Sequence, residues 1–358
     1  MSDAVYIAGI TTRLPRLFSP EECMDVLYPP SLAQGRINRL ARRAAQVVGI
    51  ESRSSVLDPD AFPNRTLARP EYRPLEWCRG MVEELSTSSP VARDIGFLGV
   101  AYNVSSSADL LPSLAAQVAS AVPLALDVPP EERAFYGCAG GLFSLESGFR
   151  YCRERERLAA LCVFDQCSWI VDPVRDPAQV DFREHLRTSL LFSDGAAGLL
   201  LAPRSLRRAF RRPLMRLLDV ACDFVPGASV WMDAGRLVFT DELRHEVPRM
   251  VSERLIRPML ARHGLEVGEI DEWAMHQGGL PILAEFRKPE LLGLSSAQLD
   301  RATRLFRRHG NFSAPSCLFV LDSFFAEDPS GKHGRKGMIV SFGAGYYMGA
   351  ALYEWEAQ

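Results

Sequence analysis

Three residues set far apart in the chain, Cys138, His276 and Asn311, have the side chains needed to hold an acyl group as a thioester and to build a carbon–carbon bond onto it. Cys138 stands inside Ala134-Phe-Tyr-Gly-Cys-Ala-Gly-Gly-Leu-Phe-Ser-Leu-Glu-Ser-Gly-Phe149, where Leu142, Leu145 and Phe149 recur at helical spacing after a short apolar run. A thiol at the first turn of a helix sits near the positive end of the helix dipole, which favours the nucleophilic thiolate. The small residues Gly137, Ala139, Gly140 and Gly141 leave room beside the sulfur for a carbonyl and for backbone N–H donors to its oxyanion. His276 lies in Met275-His-Gln-Gly-Gly279, and Asn311 in His309-Gly-Asn-Phe-Ser-Ala-Pro315. A histidine N–H and an asparagine NH₂ are neutral donors suited to an enolate oxygen such as decarboxylation of a malonyl thioester produces. Each residue also has a plainer reading: a buried structural cysteine, a core histidine at a strand end, an asparagine in a turn or helix cap. Proteolysis could use the same set, with His276 as base and Asn311 as its orienter. Against it, neither the cysteine nor the asparagine segment has the local signature of the cysteine-protease families.

Positioning these groups falls to an alternating pattern of strands and helices, which predicts a layered α/β fold. Val5–Ile10, Ile95–Tyr102 and Leu158–Phe164 read as strands, Arg36–Val48 as a helix, and Pro112–Val122 as a helix opened by its proline. The segment Asp58–Pro74, punctuated by proline and arginine, reads as an irregular excursion: a surface loop, or a lid or wall of a substrate channel. The second half repeats the plan, with a long helical stretch Asp241–His263, a strand Ile270–Met275 ending at His276, a helix Ser296–Arg308, a helix opened by Asn311, and closing strands Met338–Phe342 and Tyr346–Tyr353. The run Leu142-Phe-Ser-Leu-Glu-Ser-Gly-Phe149 is echoed by Leu318-Phe-Val-Leu-Asp-Ser-Phe-Phe325, so Cys138 and Asn311 stand ahead of corresponding helices if the halves arose by duplication. Packed about a pseudo-twofold axis, those helix ends would face one shared pocket.

Composition narrows the field. The 358 residues are 47% hydrophobic and 24% charged, as in a soluble globular protein, and a net charge of −3 argues against non-specific nucleic-acid binding. No apolar run reaches membrane-spanning length, and the first residues show no basic, apolar leader, so a cytoplasmic location without membrane association is expected. The eight cysteines form no C-x-x-C pair and no zinc-ligand grouping with the six histidines, so free thiols and no metal are expected.

With these segments in this order, the chain resembles the thiolase superfamily of condensing enzymes, between β-ketoacyl-acyl-carrier-protein synthase III and the chalcone-synthase-like type III polyketide synthases. Ile50-Glu-Ser-Arg53 is similar to the Gly-Ile-x-x-Arg stretch of both groups, and Leu191-Phe-Ser-Asp-Gly-Ala-Ala197 to their Phe-Gly-Asp-Gly-Ala block, with Ser193 in place of the first glycine. Leu111-Pro-Ser-Leu-Ala115, Met232-Asp-Ala-Gly-Arg-Leu-Val-Phe239 and Phe342-Gly-Ala-Gly-Tyr-Tyr-Met-Gly349 lean towards synthase III. His276-Gln-Gly-Gly-Leu-Pro-Ile-Leu283 and Gly310-Asn-Phe-Ser-Ala-Pro-Ser-Cys-Leu-Phe-Val-Leu-Asp322 lean towards the plant-type enzymes. Synthase III usually has an asparagine where Gly279 stands and a coenzyme A-binding arginine where Pro281 stands, which leaves open delivery of the primer by coenzyme A or by a carrier protein.

The resemblance implies a thiolase-like fold of two similar βαβαβ-type halves, residues 1–203 with Cys138 and 204–358 with His276 and Asn311, stacked as an α-β-α-β-α sandwich. It implies Cys138 as the acylated nucleophile, His276 and Asn311 as the groups that promote decarboxylation and hold the enolate, and Gly343 and Ala344 as active-site backbone near the oxyanion. Phe192 and Phe239 match positions near the acyl tunnel, where plain core packing is the competing account. Asp194 reads as a turn residue. Arg204, Arg207, Arg208, Arg211 and Arg212 could meet coenzyme A phosphates or an acidic carrier protein, or form a solvated connector. A homodimer is implied, with acyl-coenzyme A or acyl-carrier-protein and a malonyl thioester as substrates and no permanently bound cofactor. The expected function is decarboxylative Claisen condensation giving a β-ketoacyl product in polyketide or fatty-acid-derived biosynthesis. The alternatives are iterative condensation with cyclisation, acyl transfer from Cys138 to an oxygen or nitrogen nucleophile, and a non-catalytic partner subunit.

Overall fold

Three apolar runs, Ile95–Tyr102, Leu158–Asp165 and Gly195–Pro203, are buried along their whole length, which requires cover on both faces. The computed structural model describes residues 4–91, 94–107, 111–171, 176, 178, 182–227, 230–233, 236–240 and 242–357. Its strands are β1 (Val5–Arg13), β2 (Arg16–Phe18), β3 (Arg53–Ser55), β4 (Ile95–Tyr102), β5 (Glu131–Ala134), β6 (Leu158–Asp165), β7 (Gly195–Pro203), β8 (Leu214–Phe224), β9 (Val230–Asp233), β10 (Arg236–Phe239), β11 (Glu272–Met275), β12 (Lys336–Phe342) and β13 (Tyr347–Glu356). Its α-helices are α1 (Pro20–Leu27), α2 (Arg36–Val48), α3 (Pro74–Ser88), α4 (Leu114–Ala121), α5 (Gly140–Arg155), α6 (Phe182–Leu191), α7 (Leu243–Val251), α8 (Arg257–Arg262), α9 (Leu280–Glu285), α10 (Asp300–His309) and α11 (Ser316–Phe325).

Nine strands form one continuous array in the order β11-β12-β13-β8-β1-β7-β6-β4-β5. The join between β8 and β1 is short, Val5–Ile7 against Met215–Leu217, so the array falls into two groups. In each group a parallel pair (β4/β6, β11/β12) continues into antiparallel neighbours (β6/β7/β1, β12/β13/β8), the same order twice. Helix α5 packs on strands of both groups, and α11 packs on β11, β12 and β1, so these two helices form the central layer. Helix α3 covers the outer face of β1, β6 and β7 with Trp77, Met81, Val82 and Leu85, and the helical stretch through α7 and α8 covers β8 and β13. Helices thus lie outside and between two sheets, the layered thiolase-like architecture.

Several boundaries differ from the sequence expectation. The helix expected to open at Pro112 begins at Leu114, because the Ser113 hydroxyl accepts from Ala116 N at 3.3 Å and caps it. Asn311 does not open a helix: α11 starts at Ser316, and Ser313, in the left-handed region at φ 62°, turns the chain between them. Asp58–Pro74 is irregular, as expected, with short 3₁₀ turns at Pro59–Ala61 and Pro70–Tyr72. All eight cysteines are free, and among the described residues no helix is long and apolar enough to cross a membrane.

Candidate active site

Cys138 occupies a 3₁₀ turn, Gly137–Ala139, that runs straight into α5. The turn is wedged against the loop after β12. A β-carbon on Gly343 would lie 2.2 Å from Cys138 N, and one on Gly137, at φ 55°, would lie 2.6 Å from Ala344 N, so glycine is required at both positions. Gly141 serves a different contact, since a β-carbon there would meet the Ala314 carbonyl at 3.2 Å where α5 crosses the start of α11. Some of the small residues around the cysteine therefore admit neighbouring backbone and not only a substrate. Gly343 N donates to Tyr347 O at 2.9 Å, whereas Ala344 N has no other partner among the described residues, which makes Ala344 the better oxyanion donor of the two.

β12 joins the cysteine to the histidine. Ser341 Oγ donates to the Cys138 carbonyl at 2.6 Å, His276 N donates to Val340 O at 2.8 Å, and the imidazole stands edge-on to Phe342 with centroids 5.1 Å apart. His276 is buried, its Nδ1 makes no hydrogen bond among the described residues, and burial drives its pKa down to about 3, so the ring is neutral. On the other side, Cys138 Sγ lies 3.4 Å from Ser313 Oγ. Asn311 Oδ1 accepts from Ser313 N at 2.7 Å and from Ser316 Oγ at 3.1 Å, which fixes the amide and leaves its NH₂ as the free end. The three expected residues therefore converge on one end of the two sheets.

A polar cluster that sequence reasoning missed holds this convergence together. Asp165, fully buried at the end of β6, accepts from Asn103 N and Val104 N at 2.7 Å, Asn103 Nδ2 at 2.9 Å and Ala314 N at 3.0 Å. Asn103 Nδ2 also donates to Gly137 O at 3.0 Å, so one carboxylate ties the cysteine turn to the Asn311 loop. Burial raises the Asp165 carboxyl pKa against the lowering by these donors. Burial likewise pushes the Cys138 thiol up to about 12, opposed by the Ser313 contact. Burial thus opposes the thiolate that the helix start favours.

The remaining candidates are placed as follows. Phe192 pairs through its backbone with Asn311 and lines a cavity with Asp58, Pro59 and Phe62 of the irregular excursion. Phe239 ends β10, and its side chain lies outside the described residues. Asp194 is buried and accepts from Val56 N and Ser168 N at 2.7 Å, bracing its turn, and burial lifts it to about 7. Ser193 Oγ donates to His309 O, which anchors the loop leading to Asn311. Arg207 is buried, donating to Phe210 O and Glu356 O, and Arg212 stacks 3.9 Å over Phe325 while donating to its carbonyl. The Arg207 guanidinium is thereby engaged inside the protein and is not free for a phosphate, which corrects the expectation for it, whereas Arg212 is half-buried. Arg204, Arg208 and Arg211 are exposed, at the far end of β7 from Gly195, about 25 Å from the cysteine end of the sheet.

A family model described as 3-oxoacyl-[acyl-carrier-protein (ACP)] synthase III C terminal matches residues 260–355. The chain is 27% identical over 269 residues to a putative chalcone synthase of Bacillus subtilis, an alignment covering 71% of this chain and 70% of the relative. It is 26% identical over 231 residues to the alpha-pyrone synthesis polyketide synthase-like Pks18 of Mycobacterium tuberculosis, covering 62% of this chain but only 56% of that relative, a little over half its length. The crystal structure of PKS-I from the brown alga Ectocarpus siliculosus superposes with a TM-score of 0.76 at 20% identity, covering 98% of both chains.

Proposed function

We propose, from a thiolase-superfamily fold whose sequence resembles the condensing enzymes of that superfamily, that this protein performs a decarboxylative Claisen condensation. Cys138 takes an acyl group from a primer thioester, the incoming thiol leaving with the cysteine proton. A malonyl-type thioester then loses carbon dioxide, and the enolate oxygen so formed is met by two neutral donors, His276 and Asn311. The enolate carbon attacks the acyl-cysteine carbonyl, backbone N–H groups at Cys138 and Ala344 hold the tetrahedral oxyanion, and the sulfur leaves. The observation that carries this reading is the orientation of Asn311: both bonds to its carbonyl oxygen come from Ser313 of its own loop and Ser316 at the start of α11, so its NH₂ group is left as a fixed donor, and the buried His276 imidazole is neutral. A plain acyltransferase has no need of that donor.

Release of labelled carbon dioxide from a malonyl thioester tests the reading. Asn311→Ala removes a charge-developing contact and is expected to lower the rate by about a hundredfold or more, with acylation of Cys138 retained. Equal release by Asn311→Ala and wild type would transfer the chemistry to other groups. The relatives named for chalcone and alpha-pyrone synthesis favour a second reading, repeated extension with cyclisation of the product. Product masses separate the two: one added two-carbon unit for a single condensation, several for an iterative one. Carrier identity follows from offering the same primer on coenzyme A and on an acyl carrier protein.

A further inference from the structure

Arg53 is 5% exposed and faces a cavity of about 70 Å³ between α1, the irregular excursion and Phe192. That space is several times the roughly 10–15 Å³ that one water needs. Phe18, Leu27, Leu57, Phe62 and Phe192 give the cavity a mainly apolar wall. The guanidinium is fixed from behind: Nη1 donates to Ser52 O at 3.0 Å, and a β-carbon on Gly310 would lie 3.6 Å from Cζ. Among the described residues its Nε, although buried, has no hydrogen-bond partner, and Arg53 forms no ion pair. Asp58, the acidic residue of the lining, accepts from Asp60 N at 3.0 Å within its own turn. Cys23, on the same wall, is a thiol that burial holds up at about 12 and is no counter-anion. A buried cation without a partner is unfavourable, and burial accordingly draws the Arg53 pKa down to about 10. Nε is enclosed by protein, so Nη2 is the nitrogen left accessible, a terminal donor for one charge-assisted hydrogen bond to a carboxylate.

We infer that this cavity is a binding site for a short alkyl carboxylate, its carboxylate on Nη2 of Arg53 and its chain against Phe18, Leu57, Phe62 and Phe192. Phosphate would supply the charge but leave the apolar wall without contact. The inference stands apart from the condensation chemistry, because none of Cys138, His276 and Asn311 lines the cavity, and Phe192 meets Asn311 only through the backbone bridge.

Calorimetric titration tests it with butanoate, butanamide and inorganic phosphate on wild type, Arg53→Gln and Leu57→Trp. Butanoate is expected to bind the wild type at least about tenfold more tightly than the other two, since a charged hydrogen-bonded pair is at stake. Both variants should lose that binding, Arg53→Gln by removing the cation and Leu57→Trp by filling the space. Whichever variant folds decides the matter if the other does not. Butanoate binding retained in either folded variant, butanamide binding as tight as butanoate, or no butanoate binding to the wild type overturns the proposal.

Discussion

Burial pushes the Cys138 thiol up to about 12. The helix dipole at a first turn returns only about 0.3–1 kcal/mol, up to about 2 when partly buried, so desolvation wins in the unliganded site. Alkylation of Cys138 by iodoacetamide is therefore expected to accelerate continuously from neutrality to about pH 10, because the thiolate appears only as the pH approaches the raised value. A rate that levels off near neutrality would mean that the helix start governs after all. Cys138, His276 and Asn311 were legible in the sequence because each sits in a glycine-marked turn after or before an apolar run. Asn103, Asp165 and Ser313 were not: their partners lie far along the chain, and nothing in local spacing announces a hydrogen bond across the fold.

The same contrast holds for the elements. Gly343 has extended backbone at φ −163°, so its requirement for glycine is purely steric, set by the Cys138 turn that a side chain would strike. Gly343→Ala should fold yet displace that turn, lowering acylation of Cys138 by about tenfold or more while changing the urea midpoint little. Equal acylation would show that the loop yields. Asp165→Ala leaves the Asn103, Val104 and Ala314 N–H groups without their acceptor, and a loss of about 3 kcal/mol or more is expected in urea unfolding. An unchanged midpoint would remove the carboxylate from its role as the tie between the two halves of the site. Helix α3 escaped sequence reading although Trp77, Cys78, Met81, Val82 and Leu85 follow a helical period, because the preceding proline-rich excursion masked its start. The left-handed turn at Ser313 left no sequence trace at all, since non-glycine residues rarely adopt it.

At the scale of the molecule, the repeated strand order places helices α5 and α11 in the central layer, where they cross at Gly141, and the segments ahead of them carry Cys138 and Asn311 to one end of both sheets. The echo between Leu142–Phe149 and Leu318–Phe325 made that symmetry readable, whereas the short β1–β8 junction was not foreseeable from either strand alone. Strand β5 is an edge of the array, and beyond it Phe135 is 73% exposed. An unpaired edge next to an exposed aromatic suits the expected homodimer. Light scattering at micromolar concentration should give twice the mass of one chain, and Phe135→Asp should shift the population towards monomer. A monomeric wild type would end that expectation.

In the proposed reaction Cys138 carries an acyl group until a decarboxylated extender removes it. Intact-protein mass spectrometry after incubation with a panel of acyl thioesters, followed by addition of a malonyl thioester, reads both events. The expected record is one acyl adduct, absent in Cys138→Ala, that disappears on malonyl addition as a β-ketoacyl product and carbon dioxide are released. An adduct that forms equally in Cys138→Ala, or one that malonyl thioester leaves untouched, would rule that reaction out.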